Sequence, residues 1–143
     1  MSIDVDIVEG PLGAADGACD ACDGADHRAG ARVVFDGVVR AIEERRPLIA
    51  LDYQTYEPMA QNQLRSLASE MISMHGLLGV IVRHSRGRVP VGAVSFRMTV
   101  LAPHRKEALT AMDEFIDRMK RDVPIWKSPV FAERDGGSAA TRP

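Results

Sequence analysis

The stretch "VGAVSFRMTVLAPHRKEALTAMDEFIDRMKRDVPIW" (Val91–Trp126) changes its period part-way, and that change decides the fold class. Up to Ala102 the apolar residues alternate, with Val94, Phe96, Met98 and Val100 on one face, as a strand requires. Beyond Pro103 they recur every three or four positions, so Leu109, Met112, Phe115, Ile116 and Met119 mark the buried face of a helix. Pro124 stops that helix, because a proline lacks the backbone donor and clashes with the preceding turn. A strand that feeds an amphipathic helix makes a sheet-and-helix domain.

The flanks repeat the theme. "PMAQNQLRSLASEMISMHG" (Pro58–Gly76) spaces Leu64, Leu67, Met71 and Met74 as one face of a helix ending near Gly76, with His75 as a cap. "GVIVRHSRGRVP" (Gly79–Pro90) opens as a strand and runs into an Arg/Gly/Pro-rich connection. "ARVVFDGVVR" (Ala31–Arg40) is β-branched and apolar, and "LIALDYQTY" (Leu48–Tyr56) alternates Ile49, Leu51, Tyr53 and Thr55. These two strands are expected to pair as a hairpin across the polar turn "AIEERRP" (Ala41–Pro47). With the short first strand "IDVDIV" (Ile3–Val8), the order is ββαββα with a β start. The fold class is α+β: a mostly antiparallel sheet with two main helices packed on it. The expected organisation is a first strand in 1–9, a flexible acidic Gly/Ala/Asp loop in 10–30, a core in 31–131 that forms one domain with 1–9, and a disordered tail in 132–143.

The chain has 143 residues, 45% of them apolar and 27% charged, an ordinary globular profile. No apolar run approaches the roughly 18–20 residues that cross a bilayer. The start "MSIDVDIVEG" has neither a basic beginning nor an apolar signal core, so a cytoplasmic protein is expected. The net charge of −2 hides an asymmetry: residues 1–27 carry seven acids and no Lys or Arg, and the remainder carries all 18 Lys and Arg against 13 acids. A mildly basic body suits an anionic ligand. It lacks the dense cationic stripes and stacking aromatics of a nucleic-acid binder, so neither nucleic acid nor membrane is an expected partner.

The two cysteines form a C-x-x-C at Cys19 and Cys22. A zinc site needs about four ligands, and only His27 is near, so no metal is expected; a loop with two reduced thiols or an adventitious metal site are the two readings.

His104, Arg105 and Lys106 occupy the start of the second helix, where the dipole disfavours cations by roughly 0.3–1 kcal/mol each. A helix N-terminus binds phosphate readily, and cations beside its free N–H groups strengthen an anion site. Three solvated side chains on a surface turn satisfy the spacing equally well. Arg118, Lys120 and Arg121 sit at the favourable end of the dipole. Lys127 has no such structural excuse: it follows "VPIW", an apolar turn that holds it near the protein body, where a lysine is suited to acid/base or covalent work.

Four segments in order, "FDGVVR" (Phe35–Arg40), "YEPMA" (Tyr56–Ala60), "APHRKEA" (Ala102–Ala108) and "DRMKRDVPIWK" (Asp117–Lys127), resemble the catalytic, large subunit of molybdopterin synthase, the MoaE family. The resemblance covers about Gly30 to Phe131. It implies an α/β-hammerhead fold and a sulfurtransferase that needs no cofactor of its own. It also implies a homodimer that carries a small ubiquitin-like sulfur-carrier subunit at each end of a heterotetramer. The carrier's C-terminal Gly-Gly thiocarboxylate enters a pocket, and sulfur passes to cyclic pyranopterin monophosphate to give the molybdopterin dithiolene in molybdenum cofactor biosynthesis.

By the same resemblance, Lys120 and Lys127 are catalytic, with Lys120 beside the thiocarboxylate. Arg40, His104 and Arg105 hold the substrate's phosphate and pterin. Phe35, Met59, Pro124 and Trp126 line the pocket for the partner's tail, with Trp126 as its wall. The chain departs from the family's usual pattern at "HSRG" (His84–Gly87), where the arginine falls one place late, and at Ala41, Ala93 and Ser128-Pro129. His84 is read as structural. The alternative function is a divergent paralogue that keeps the partner surface as a non-catalytic, regulatory module.

Overall fold

A computed structural model describes residues 2–14 and 27–132. The elements run β1 (Ser2–Glu9), β2 (Ala31–Val38), β3 (Ile42–Glu43), β4 (Arg46–Thr55), α1 (Met59–His75), β5 (Gly79–Pro90), β6 (Val94–Ala102), α2 (Arg105–Asp122) and β7 (Ile125–Phe131). The expected loop residues 15–26, with Cys19 and Cys22, and the expected tail 133–143 lie outside the described residues.

The sheet follows the path β2-β6-β5-β4-β3, with β1 added beside β5 and β7 beside β4. β1 runs parallel to β5 in one register from Ser2↔Gly79 to Glu9↔Arg86; the other pairings are antiparallel. β5 is the spine of the molecule. Its first half lies between β1 and β6, and its second half turns to pair with β4.

Two apolar clusters result. The larger joins α1 and α2 to the sheet through Leu64, Met71, Val80, Val82, Met98, Val100 and Phe115. The smaller, Val39, Leu48, Leu51 and Val89, lies under the β4–β7 region.

The α+β class expected from the sequence is what is observed, and both helices fall where their periods put them. Several details differ. β2 does not pair with β4: it closes the free edge of β6, from Ala31↔Ala102 to Val38↔Val94. The hairpin partner of β4 is the two-residue β3, across a tight turn at Glu44 and Arg45. Both turn residues have positive φ, 52° and 62°. That region costs a non-glycine residue roughly 1–2 kcal/mol.

The Arg/Gly-rich segment expected to be a connection is the second half of β5. Each of its arginines meets an acid on an adjacent strand: Arg83 with Asp4 at 2.8 Å, Arg86 with Glu9 at 3.1 Å, Arg88 with Asp52 at 2.8 Å. Such cross-strand pairs stabilise a sheet without any apolar alternation.

"VPIW" does not end in a turn. Ile125–Phe131 is a strand along β4, and Pro129 is tolerated because only one side of the strand is paired among the described residues.

Finally, Met74 and Leu109 are exposed at 58% and 52%. At about 100° per residue both stand at the rim of their stripes, and Ile72 on α1 and Ala108 with Ala111 on α2 take the inner places. His75 is no cap: Gly76, left-handed at φ 66°, ends α1, while His75 Nε2 lies 3.0 Å from Glu114 Oε1 on α2.

Candidate active site

A cleft of about 560 Å³ opens where six strands and the end of α2 converge. Arg40 enters it from the link between β2 and β3, Lys120 from the last turn of α2, and Lys127 from β7. Arg40 is distant in the chain from Lys120 and Lys127, and the three line one cleft because β7 returns along β4 after α2 has crossed the sheet. Ile125 and Lys127 both line the cleft, as alternation on one strand requires.

Glu43, unnoticed in the sequence, supplies the negative charge. Its Oε1 lies 3.2 Å from the Arg40 guanidinium and 3.8 Å from Lys127 Nζ.

The floor is aromatic. Tyr53 Oη and Ser95 Oγ are 2.9 Å apart, and His84 stands edge-on to the Tyr53 ring with centroids at 5.3 Å. Burial pushes the Tyr53 phenol up, and the Glu43 charge adds to that shift against the opposing Ser95 bond, so the phenol stays neutral at ordinary pH. His84 is 5% exposed, and burial moves its pKa down. Its Nδ1 donates to the Ser85 carbonyl at 2.8 Å, because a carbonyl oxygen only accepts. The neutral ring therefore keeps Nε2 as an acceptor. Glu43, Tyr53, His84 and Ser95 are the cleft residues that the sequence reading left out. A buried polar residue on an alternating strand was the one available signal, at Tyr53.

The other expected site residues divide. Phe35 lines the cleft, its ring 6.1 Å from that of Phe96. Trp126 points the opposite way from Lys127 and lines a separate hollow with Tyr56, Glu57 and Arg86, so it does not wall the lysine cleft. Pro124 accepts the Tyr56 N–H at 3.1 Å, and Met59 stands exposed at the start of α1.

His104 and Arg105 lie at the far end of α2, in a hollow with Gly30, Pro103 and Lys106. At 1.5 Å per residue, Arg105 and Lys120 are about 22 Å apart along the helix axis. The helix start is also less anomalous than its cations suggest. Glu107 occupies the third helical position, where a carboxylate favours the dipole, and lies 3.6 Å from His104 Nδ1.

Residues 7–122 match the family model for MoaE protein. The chain belongs to the MoaE family. The match takes in Arg40, His104, Arg105 and Lys120 and stops short of Lys127. Among family members, the chain is 39% identical over 114 residues to a molybdopterin synthase catalytic subunit of Aspergillus niger, covering 80% of this chain and 63% of that one. The chain spans about three fifths of the length of the first curated relatives it matches.

The family fold is equally clear. The molybdopterin synthase structure from Staphylococcus aureus superposes with a TM-score of 0.76 at 28% identity, over 90% of this chain and 91% of that one. A complex of subunits 1 and 2 of molybdopterin-converting factor from Helicobacter pylori superposes with a TM-score of 0.68 at 25% identity, over 90% of each chain.

At "HSRG" the strand buries two consecutive residues, His84 and Ser85, before it exposes Arg86. Ser85 is fully buried and donates to the Gly10 carbonyl at 2.7 Å, while Arg86 turns outward to Glu9.

Proposed function

We propose that the chain is the catalytic subunit of a molybdopterin synthase. In this reading it transfers sulfur from the thiocarboxylated C-terminus of a small ubiquitin-like carrier to cyclic pyranopterin monophosphate. The observation that carries the reading is the convergence of Arg40, Lys120 and Lys127 from three separate segments on one cleft, in a chain of the MoaE family.

The chemistry suits the charges. The donor ends in an anionic thiocarboxylate and the acceptor is a cyclic phosphate, so both need cations, and an arginine fork matches phosphate geometry. Each transfer passes through a tetrahedral centre on which oxyanion charge develops. An ammonium group already aimed at that oxygen stabilises the transition state more than the ground state. Lys120 takes that role beside the thiocarboxylate, and Lys127 assists from β7.

His104 and Arg105 lie a helix length from Lys120, so they serve the substrate only if a second copy brings its own pair to the cleft. Homodimerisation, with one carrier bound per protomer, is therefore part of the proposal. The strand 1–9 and the segment 31–131 act together as one domain, since β1 pairs along its whole length with β5. A cytoplasmic setting belongs to the proposal as well and rests on the enzyme class; among the described residues no helix is long and apolar enough to cross a membrane.

The test is a sulfur-transfer assay with purified chain, thiocarboxylated carrier and cyclic pyranopterin monophosphate, molybdopterin being read by fluorescence after oxidation. Product that disappears with Lys120→Ala, in a complex that still forms, supports the reading. No product from a stable complex of the unaltered chain rejects it.

A further inference from the structure

Glu43 is an acid in a cleft whose proposed ligands are all anions. One of its oxygens contacts both Arg40, at 3.2 Å, and Lys127, at 3.8 Å. Its side chain is 22% exposed, against 77% for Arg40 and 53% for Lys127, so the acid is the shielded member of both pairs. Any anionic group that engages the same two cations has either to sit beside this carboxylate, against like-charge repulsion, or to replace it.

The local backbone makes replacement feasible. β3 is two residues long and is held by two register pairs, Ile42↔Pro47 and Glu43↔Arg46. The turn that follows carries Glu44 and Arg45, both at positive φ. A short pairing next to a strained turn belongs to the low-stability end of a fold. The residue across the ladder from Glu43 is itself a cation, Arg46, whose guanidinium lies 3.8 Å from the centre of the Phe131 ring. A carboxylate released from Arg40 and Lys127 thus has a partner on its own hairpin.

We propose that Glu43 is a built-in counter-anion of the cleft, which holds the place between Arg40 and Lys127 until the anionic end of a ligand exchanges with it. Glu43 then sets the charge requirement of the site. Neutral groups do not displace it, and carboxylate-like groups do so at the cost of one ion-pair exchange. The inference rests on the cleft being the binding site proposed above for the carrier's C-terminal tail.

The experiment is calorimetric titration of the full chain with a synthetic peptide ending in Gly-Gly with a free carboxylate. Glu43→Gln is expected to tighten binding on the order of fivefold, because the peptide no longer competes with an internal charge. Amidation of the peptide is expected to abolish that gain. Glu44→Gln, which removes the same charge one residue away on an exposed turn position, is expected to change the affinity less than about twofold. Lys127→Ala reports on the cleft itself. A peptide that needs Lys127 but binds Glu43→Gln no tighter than the unaltered chain overturns the counter-anion role alone. A gain that survives amidation, or that Glu44→Gln matches, does the same. A peptide that does not bind, or that is indifferent to Lys127→Ala, overturns both readings.

Discussion

Arg105 and Lys120 stand at opposite ends of one helix, α2, about 22 Å apart along its axis. Two residues so placed cannot touch one small ligand in a single chain, yet both are expected to serve the same substrate. Under the function proposed above, the resolution is a symmetric pair of chains in which each cleft takes its lysines from one protomer and its His104-Arg105 pair from the other.

That arrangement predicts complementation. Lys120→Ala and Arg105→Ala are each expected to be inactive alone. Subunits unfolded together and refolded as a mixture are expected to regain on the order of a quarter of full activity, since half the dimers are mixed and each mixed dimer holds one intact site. Sulfur-transfer assays before and after mixing read this directly. A mixture no more active than its parts would assign both residues to the same cleft or to none.

Lys120→Ala is expected to lower kcat by about 10²–10³, the usual loss when one donor to a developing oxyanion is removed. Carrier affinity, measured by calorimetry, is expected to stay within about twofold, because the ammonium acts on charge that appears only during reaction. A loss of binding with kcat unchanged would make Lys120 an anchor instead.

His84 predicts a pH dependence of stability. Its folded pKa is depressed by burial below the ordinary value of 6.5, so the unfolded chain binds the proton more readily than the folded one. Stability from this group is fully present above about pH 6.5 and is lost as the pH falls below it. Thermal melts between pH 7.5 and about 5 are expected to show a steeper fall for the unaltered chain than for His84→Asn, whose amide can still donate to the Ser85 carbonyl. Parallel curves would show that His84 does not titrate in this window.

The two faces of α2 predict opposite sensitivities. Phe115 is fully buried and stacks 6.5 Å from Phe96, which lines the cleft. Phe115→Ala is expected to cost about 3–5 kcal/mol. Leu109, also in the apolar count of that helix, is half exposed, and Leu109→Gln is expected to change stability by no more than about 0.5 kcal/mol. Denaturant melts separate the two outcomes.

Much of this was legible in the chain itself. Apolar patterning located both helices and five of the strands, because burial of one face leaves its mark on nearest neighbours in sequence. Pro124 and Gly76 placed the helix ends, since their backbone restrictions act locally. The basic body and the segments Phe35–Arg40, Tyr56–Ala60, Ala102–Ala108 and Asp117–Lys127 point by themselves to anion chemistry and to the family.

What the sequence could not decide was non-local. The arginines of β5 look like a loop until Asp4, Glu9 and Asp52 are set beside them, because an ion pair between strands has no signature within either strand. β2 pairs with β6 rather than with β4, since the sheet edge left free by other strands chooses the partner. Glu43 becomes a site residue only when β7 carries Lys127 back along β4. His104-Arg105 and Lys120, both assigned to one substrate by the resemblance, prove to be a helix apart. Local periodicity determined the elements; the order in which strand edges are satisfied decided which charges share a cleft.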